Sequence, residues 1–297
     1  MSIRPVKRII ESTPTMEGAG VKLRRAFGFG ETAEFDPFLL LDDFRNDRPD
    51  DYRAGFPWHP HRGIETITYV LAGTVDHGDS LGNKGSLGAG DVQWMTAGSG
   101  ILHQEMPQGD PRGRMHGFQL WANLPSRLKM TAPRYQDIKA IEIPELVDDD
   151  GTRARVICGE FWGKRGPVEG VAADPRYLDI SVAPGRRKTL AVETDRHAFA
   201  YVFEGSGTFA AASQPFGVLT EKETAAGGSE QAAVRLDHPR GAGNVEARQV
   251  KHAALGRKGV LHVDDDDGRL AKIDLKRFRP RREGDHAVPP VVVAGLA

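Results

Sequence analysis

The chain has 297 residues, with 40 Lys and Arg against 41 Asp and Glu, and a single cysteine, Cys158. This balanced charge gives no general electrostatic attraction to nucleic acid or to anionic membranes. One cysteine excludes an intramolecular disulfide and a thiolate metal cluster. The length fits two domains of about 150 residues each.

The two ends of the chain carry no targeting signal that we recognise. The N-terminal MSIRPVKRIIESTP has no apolar stretch long enough for a signal peptide, and the C-terminal PPVVVAGLA is too short to span a bilayer. The sequence therefore predicts a soluble, cytoplasmic protein.

Residues 20–125 consist of short apolar or alternating runs such as ETITYVLAG, DVQWMTAG and FQLWANLP, separated by Gly, Pro, Asn and Asp. This spacing is typical of strands and tight turns. The segment GDSLGNKGSLGAGD is predicted to be the turn between two of these strands, because Gly and Asn accept a positive φ. Many short strands in this arrangement favour an antiparallel sandwich or barrel.

Two short motifs in this region carry potential metal ligands, His59 with His61 and His103 with Glu105. Residues i and i+2 of a strand point to one face, so each motif presents two ligands together. Two strands facing each other across a barrel interior would unite all four. Three imidazoles and one carboxylate suit Fe(II), Mn, Ni, Cu or Zn, and leave open positions on a six-coordinate ion.

A second acidic residue, Glu65, follows His61 by four positions and shares its face by strand parity. Spacing alone leaves open whether Glu65 or Glu105 is the carboxylate ligand. A Glu65 outside the coordination sphere could instead accept a hydrogen bond from a ligand imidazole and fix its tautomer.

The second half of the chain contains a partial repeat of the first. ETITYVLAGTV (Glu65 to Val75) aligns with HAFAYVFEGSG (His197 to Gly207), which predicts two related β-domains in tandem. In this alignment Ala191 and Glu193 replace the first histidine pair. From about Thr224 onward aromatic residues almost disappear, and Gly, Ala, Arg and Asp runs predominate, a poor composition for a sheet core.

Four long segments resemble the pirin family, a bicupin group of the cupin superfamily: DPFLLLDDF (Asp36 to Phe44), HPHRGIETITYVLAGTVDHGDSLGNKG, GDVQWMTAGSGILHQEMP and HGFQLWANLPSRLKMTAPRYQ. The resemblance implies an all-β chain of two tandem cupin domains, each a double-stranded β-helix or jelly roll. It predicts a metal-binding cupin over residues 1–135 and the start of a second cupin without metal ligands over 136–223. Residues 224–297 would be a divergent or frame-shifted segment, leaving the second cupin incomplete.

The resemblance also implies an Fe(II) site whose ligands are His59, His61, His103 and Glu105, with Glu65 just outside the coordination sphere. Some family members are similar to quercetin 2,3-dioxygenases, which cleave a flavonol with O₂. By this resemblance Glu105 would take the proton of the substrate enol as general base. Aromatic residues near the site could stack on a planar substrate; we predict this role for Phe56 and Trp58, whereas Phe118 and Trp121 fit a sandwich core equally well.

Two functions remain open at this stage. The first is a metal-dependent dioxygenase that acts on a planar enol or flavonol. The alternative is a non-catalytic, iron-dependent regulator whose metal alters a surface that a partner protein recognises. The same residues would serve in both, and direct binding to nucleic acid is disfavoured because the only basic cluster, RFRPRRE, lies in the unusual C-terminal segment.

Overall fold

The computed structural model describes residues 2–3, 8–192 and 197–209, together with the separate strands 216–217, 230–236, 257–263, 271–276 and 290–295. It divides into two compact units, each discontinuous in sequence. The first unit comprises Ser12–Glu145 and Arg155–Arg176. The second comprises Met1–Glu11, Leu146–Ala154 and Tyr177–Ala297.

The described part of the chain is mostly β-strand. Up to residue 165 the strands are β1 (Ser2–Ile3), β2 (Arg8–Glu17), β3 (Val21–Phe27), β4 (Phe38–Asp43), β5 (Phe56–His61), β6 (Ile64–Ala72), β7 (Thr74–Asp79), β8 (Lys84–Leu87), β9 (Val92–Thr96), β10 (Ile101–Gln108), β11 (His116–Asn123), β12 (Arg134–Ile138), β13 (Glu145–Val147), β14 (Arg153–Cys158), β15 (Glu160–Phe161) and β16 (Lys164–Arg165). Beyond it are β17 (Arg176–Ser181), β18 (Lys188–Val192), β19 (Ala198–Val202), β20 (Ser206–Phe209), β21 (Phe216–Gly217), β22 (Glu230–Leu236), β23 (Arg257–Val263), β24 (Ala271–Lys276) and β25 (Pro290–Gly295).

Helical segments in the described residues are limited to single turns: α1 (Thr32–Phe35) and 3₁₀ turns at Phe29–Glu31, Pro49–Asp51, Ser126–Leu128 and Ala140–Glu142. Within the described part of the chain, no helix is long and apolar enough to cross a membrane.

The first unit is an antiparallel sandwich of two sheets. The large sheet has the strand order β12-β9-β6-β11-β4-β3-β2, and the small sheet has the order β5-β10-β7-β8. This is the expected cupin arrangement for the region that carries the histidine motifs. Apolar side chains buried between the sheets include Leu23, Phe44, Val70, Val75 and Leu87. The other face of the large sheet buries Ile67, Tyr69, Trp94 and Phe118. Their alternation with polar residues along each strand is what the sequence pattern indicated.

The glycine-rich segment between β7 and β9 is more than a turn. Lys84–Leu87 forms β8, which pairs with β7 at the edge of the small sheet. Its side chains are exposed except for Leu87. A short, polar edge strand of this kind has almost no hydrophobic signal, so the sequence pattern predicts only the turns on either side of it.

The first unit extends past residue 135 to Glu145 and also contains residues 155–176. The domain limits at 135/136 and 223/224 stay predictions. Residues 155–176 belong to the first unit because their side chains pack against it: the Arg155 guanidinium donates to the Tyr69 hydroxyl at 2.8 Å, and the Glu169 amide donates to the Gln136 side chain at 3.0 Å. These contacts join segments far apart in sequence, so composition along the chain does not reveal them.

The second unit also contains antiparallel strand pairs, with β19 next to β23 and β25. The strands of the proposed repeat agree in local structure: β6 ends just before Gly73 at φ 79°, and β19 is followed by Gly205 at φ 75°. Ala191 lies in β18, whereas Glu193 is outside the described residues. Most of residues 224–297 is also outside them, so a divergent or frame-shifted segment there stays a prediction.

Candidate metal centre

The two histidine motifs lie on neighbouring strands of one sheet. Strands β5 and β10 pair antiparallel, with His59 opposite His103 and His61 opposite Ile101. This corrects the expected arrangement of two strands that face each other across the barrel. Directly opposite residues of an antiparallel pair share a face of the sheet, so hydrogen-bond register brings the imidazoles together.

The three imidazoles of His59, His61 and His103 form a compact cluster. Their potential ligand atoms all lie within 4.8 Å of one another, and His59 Nε2 is 3.0 Å from His61 Nε2. The ring centroids of His59 and His103 are 4.4 Å apart. One ion could contact all three rings from this geometry with small side-chain adjustments.

The protonation of this cluster suits a metal site. Burial, followed by the neighbouring His103 and His59, lowers the pKa of His61 to about 3. Burial and His59 likewise lower the pKa of His103 to about 3. Both rings are therefore neutral at pH 7, the form in which imidazole binds metal.

The hydrogen bonds of the histidines also indicate that the cluster can bind a metal ion. Neither ring nitrogen of His103 has a hydrogen-bond partner, although the side chain is 1% exposed. Buried polar atoms are normally paired, and the ring nitrogen of a neutral His103 that carries no proton is therefore available to a metal ion. His59 Nδ1 lies 2.8 Å from the Pro57 carbonyl; donation of its proton there leaves Nε2 unprotonated and turned toward the cluster.

Glu105 lies beside the imidazoles, at the edge of the cluster. Its Oε2 is 4.0 Å from His103 Nε2, and the residue is 7% exposed. The pairing of β5 with β10 shifts between His103 and Glu105, so Glu105 is opposite Phe56. A bulge of this type re-aims a side chain, and the opposite oxygen, Oε1, accepts a hydrogen bond from Thr68 Oγ1 at 2.9 Å.

Glu65 does not share a face with His61, contrary to the parity prediction. Strand β5 ends at His61 and β6 begins at Ile64, with Gly63 between them at φ 70°. The turn moves the chain from the small sheet to the large sheet. Because Ile64 and Thr68 line the interior cavity, the odd-numbered Glu65 points to the opposite face.

The hydrogen-bond partner of Glu65 is Thr96, whose hydroxyl donates to Oε1 at 2.8 Å. Its Oε2 is buried without a hydrogen-bond partner, and burial raises the pKa of the carboxyl. No hydrogen bond from Glu65 to an imidazole is present among the described residues. Of the two carboxylates that the spacing left open, Glu105 is the one near the histidines.

A cavity of about 790 Å³ opens beside the cluster. Its wall includes both predicted stacking residues: Phe56 is partly buried, and Trp58 is 55% exposed. Trp121 also lines the cavity, with its ring edge-on to His61 at 4.9 Å between centroids. Phe118 is 1% exposed and belongs to the core.

Two polar residues of the cavity wall, Thr68 and Gln119, were missed by the sequence analysis. Thr68 Oγ1 is 2.6 Å from Gln119 Oε1 as well as 2.9 Å from Glu105 Oε1. The only sequence signal for them was that each is a polar residue at an inward-facing position of an otherwise apolar strand. Without the register between strands, that signal does not say what the residue contacts.

Comparison with known proteins shows sequence similarity over the region that contains the histidine cluster. The pirin family model matches residues 20–122. A pirin-like protein from Caulobacter vibrioides is 49% identical over 206 residues, which are 69% of this chain and 74% of that protein.

Solved structures extend the similarity to the fold. A quercetin 2,3-dioxygenase from Acinetobacter baumannii has a TM-score of 0.73 and 25% identity, covering 99% of this chain and 87% of that one. The bacterial pirin YhhW from Escherichia coli, solved in complex with nickel(II), has a TM-score of 0.60 and 19% identity, covering 97% of this chain and 98% of that one. By its family match and its close curated relative, this chain belongs to the pirin family.

Proposed function

We propose that this protein is a metal-dependent dioxygenase that cleaves a planar enol of the flavonol class with O₂. The observation that carries the proposal is the position of the imidazole cluster, in which His61 and His103 are buried and His59 is half-buried, beside an aromatic-lined cavity. His59, His61, His103 and Glu105 would hold the ion. The similarity to the Acinetobacter baumannii quercetin 2,3-dioxygenase supports the substrate class.

Fe(II) is the metal that we propose for the site. Three neutral imidazoles and a carboxylate suit Fe(II) and leave positions for other ligands. The same donors also suit Mn, Ni, Cu or Zn, and the related YhhW was solved with nickel(II). When bound, the metal supplies a Lewis acid and a template that brings the substrate oxygen and O₂ together.

The residues of the chain would contribute binding, orientation and proton transfer. Phe56, Trp58 and Trp121 offer aromatic surface to a planar ring system. Glu105 would take the enol proton as general base, because it is the carboxylate beside the cluster. The hydrogen bond from Thr68 to Oε1 would orient this carboxylate. The apolar wall would exclude bulk water from the reacting groups.

The decisive experiment combines metal loading with turnover. The full chain would be loaded anaerobically with Fe(II), desalted and analysed by plasma mass spectrometry, with separate loadings of Mn, Ni, Cu and Zn. Flavonol-dependent O₂ uptake and carbon monoxide release would then be measured for each form. About one metal per chain with turnover supports the dioxygenase. Metal binding without turnover on any flavonol would favour the regulatory alternative, and no metal binding would contradict both.

A further inference from the structure

A row of polar side chains crosses the cavity face of the large sheet. Thr68 on β6 is opposite Gln119 on β11, and Gln119 is opposite Asp42 on β4. Asp42 is in turn opposite Arg25 on β3 and accepts two hydrogen bonds from its guanidinium, each of 2.8 Å. We call Thr68, Gln119, Asp42 and Arg25 the polar row; all four line the cavity.

Thr68 is the member of the polar row that reaches the metal centre. Its hydroxyl lies 2.9 Å from Glu105 Oε1, on the small sheet, and 2.6 Å from Gln119 Oε1. A hydroxyl has one proton to donate and two lone pairs to accept. Both neighbours of the hydroxyl are oxygens, Glu105 Oε1 and Gln119 Oε1, and one proton cannot serve both. Turning the Gln119 amide over, which exchanges its oxygen and nitrogen without changing its shape, lets Thr68 donate to the Glu105 carboxylate and accept from the amide nitrogen.

The backbone by itself leaves the direction of the Glu105 side chain weakly fixed. The register of β10 against β5 shifts between His103 and Glu105, and Glu105 has several rotatable bonds. Thr68, by contrast, is 3% exposed and β-branched, so its χ1 is restricted. A restricted hydroxyl that holds Oε1 leaves Oε2 directed toward His103, at 4.0 Å from Nε2.

We propose that Thr68 is a positioning residue that fixes the Glu105 carboxylate at the metal centre, with Gln119 orienting the Thr68 hydroxyl. This inference rests on the proposed function only in taking Glu105 as a metal ligand. Hydrogen-bond partners of metal ligands tune metal affinity, and their removal weakens it by about 10–100-fold. The same row also joins the ligand to the wall against which a substrate would bind.

The chain contains a matched control for this interaction. Thr96 donates to Glu65 at 2.8 Å, so Thr96→Val removes a buried threonine–glutamate hydrogen bond on the other face of the large sheet. Thr68→Val removes the corresponding bond at Glu105. Both changes keep the side-chain shape, so a general loss of packing or hydrogen bonding should affect the two variants alike.

The experiment measures the Fe(II) dissociation constant of the full chain by anaerobic competition with a chelator. We expect Thr68→Val to weaken binding by about 10–100-fold, Thr68→Ser to restore most of it, and Thr96→Val to retain wild-type affinity. The visible absorption spectrum of the Co(II)-loaded protein should change in Thr68→Val and remain unchanged in Thr96→Val, because only the first alters a ligand.

Wild-type affinity in Thr68→Val, or an equal loss in Thr96→Val, would overturn the positioning role while leaving the metal site intact. If Thr68→Val does not fold, the Fe(II) affinity of Gln119→Met tests the inference instead. Weaker binding than in the wild type supports it, and wild-type affinity contradicts it. Absence of Fe(II) binding by the wild-type chain would overturn both this inference and the proposed iron site. Tight binding without turnover would contradict only the proposed dioxygenase activity.

Discussion

Two buried threonine–glutamate pairs lie on opposite faces of the large sheet. On the cavity face, Thr68 donates to Glu105 at 2.9 Å, beside the histidine cluster. On the other face, Thr96 donates to Glu65 at 2.8 Å, and the second carboxylate oxygen has no hydrogen-bond partner. The two pairs use the same hydrogen-bond chemistry but have different neighbours.

The difference between the two pairs shows that a carboxylate can be buried and hydrogen-bonded to a hydroxyl without lying at a functional site. Glu105 has imidazoles within reach and a cavity that could admit a substrate. Glu65 has a pKa raised by burial and lies on the face that points away from that cavity. In the sequence, Glu65 resembles a metal ligand because it follows His61 by four residues. In the structure, its neighbours are not those of a metal ligand.

The largest expected effect is on metal content, and it compares His103, whose ring has no hydrogen-bond partner, with His116, whose ring contacts an arginine. His103→Ala should lower the metal content from about one ion per chain to nearly none, because it removes one of the three imidazoles that would hold the ion. His116→Gln should retain the metal, since His116 contacts Arg45 at 3.0 Å and lies outside the cluster. Plasma mass spectrometry after loading measures both; full metal content in His103→Ala would contradict the ligand assignment.

The second-largest effect is on turnover, which should distinguish Glu105 from Glu65. Glu105→Gln should keep some metal but lower flavonol-dependent O₂ uptake by about 10²–10⁴-fold, the usual contribution of a general base. Glu65→Gln should leave turnover unchanged, because the side chain points away from the cavity. Wild-type turnover in Glu105→Gln would exclude the base role.

A smaller effect is expected at the aromatic wall. Trp121→Leu removes the ring that lies edge-on to His61, and should weaken flavonol binding by roughly 3–10-fold, as aromatic contacts contribute about 0.5–1.5 kcal/mol. Metal content should not change. Phe118→Leu is the control from the core: it should lower the unfolding midpoint without a specific loss of flavonol affinity. Equal affinity losses in both variants would argue against a substrate contact by Trp121.

The smallest effect is the pH dependence of Glu65. Because burial raises its pKa in the folded state, the folded protein binds this proton more tightly than the unfolded chain does. Stability is therefore highest below the unfolded pKa and falls as the pH rises through the raised folded pKa. Glu65→Gln should remove this decrease, so its urea midpoint relative to wild type should increase from pH 4 to pH 7. A constant difference across that range would contradict the raised pKa.

The sequence predicted the antiparallel sandwich of the first unit because alternation and turn residues are local signals. It also predicted which histidines converge, since HxH and HxE motifs each place two ligands on one strand face. The edge strand β8 was missed because Lys84–Leu87 carries almost no apolar side chains. The packing of residues 155–176 with the first unit has no signal along the chain, because their contacts are made with distant segments.

The sequence by itself determined the candidate ligand types, their pairwise spacing and membership in the pirin family. Tertiary structure decided how the histidine pairs meet, as register partners on adjacent strands, and which carboxylate lies beside them. That choice depended on the turn at Gly63, which moves the chain to another sheet and sends Glu65 to the opposite face. It also depended on the pairing of β6 with β11, which places Thr68 and Gln119 together beneath Glu105. These pairings join strands that are far apart in the sequence, so the pattern along one strand does not tell which residue of another strand lies opposite it.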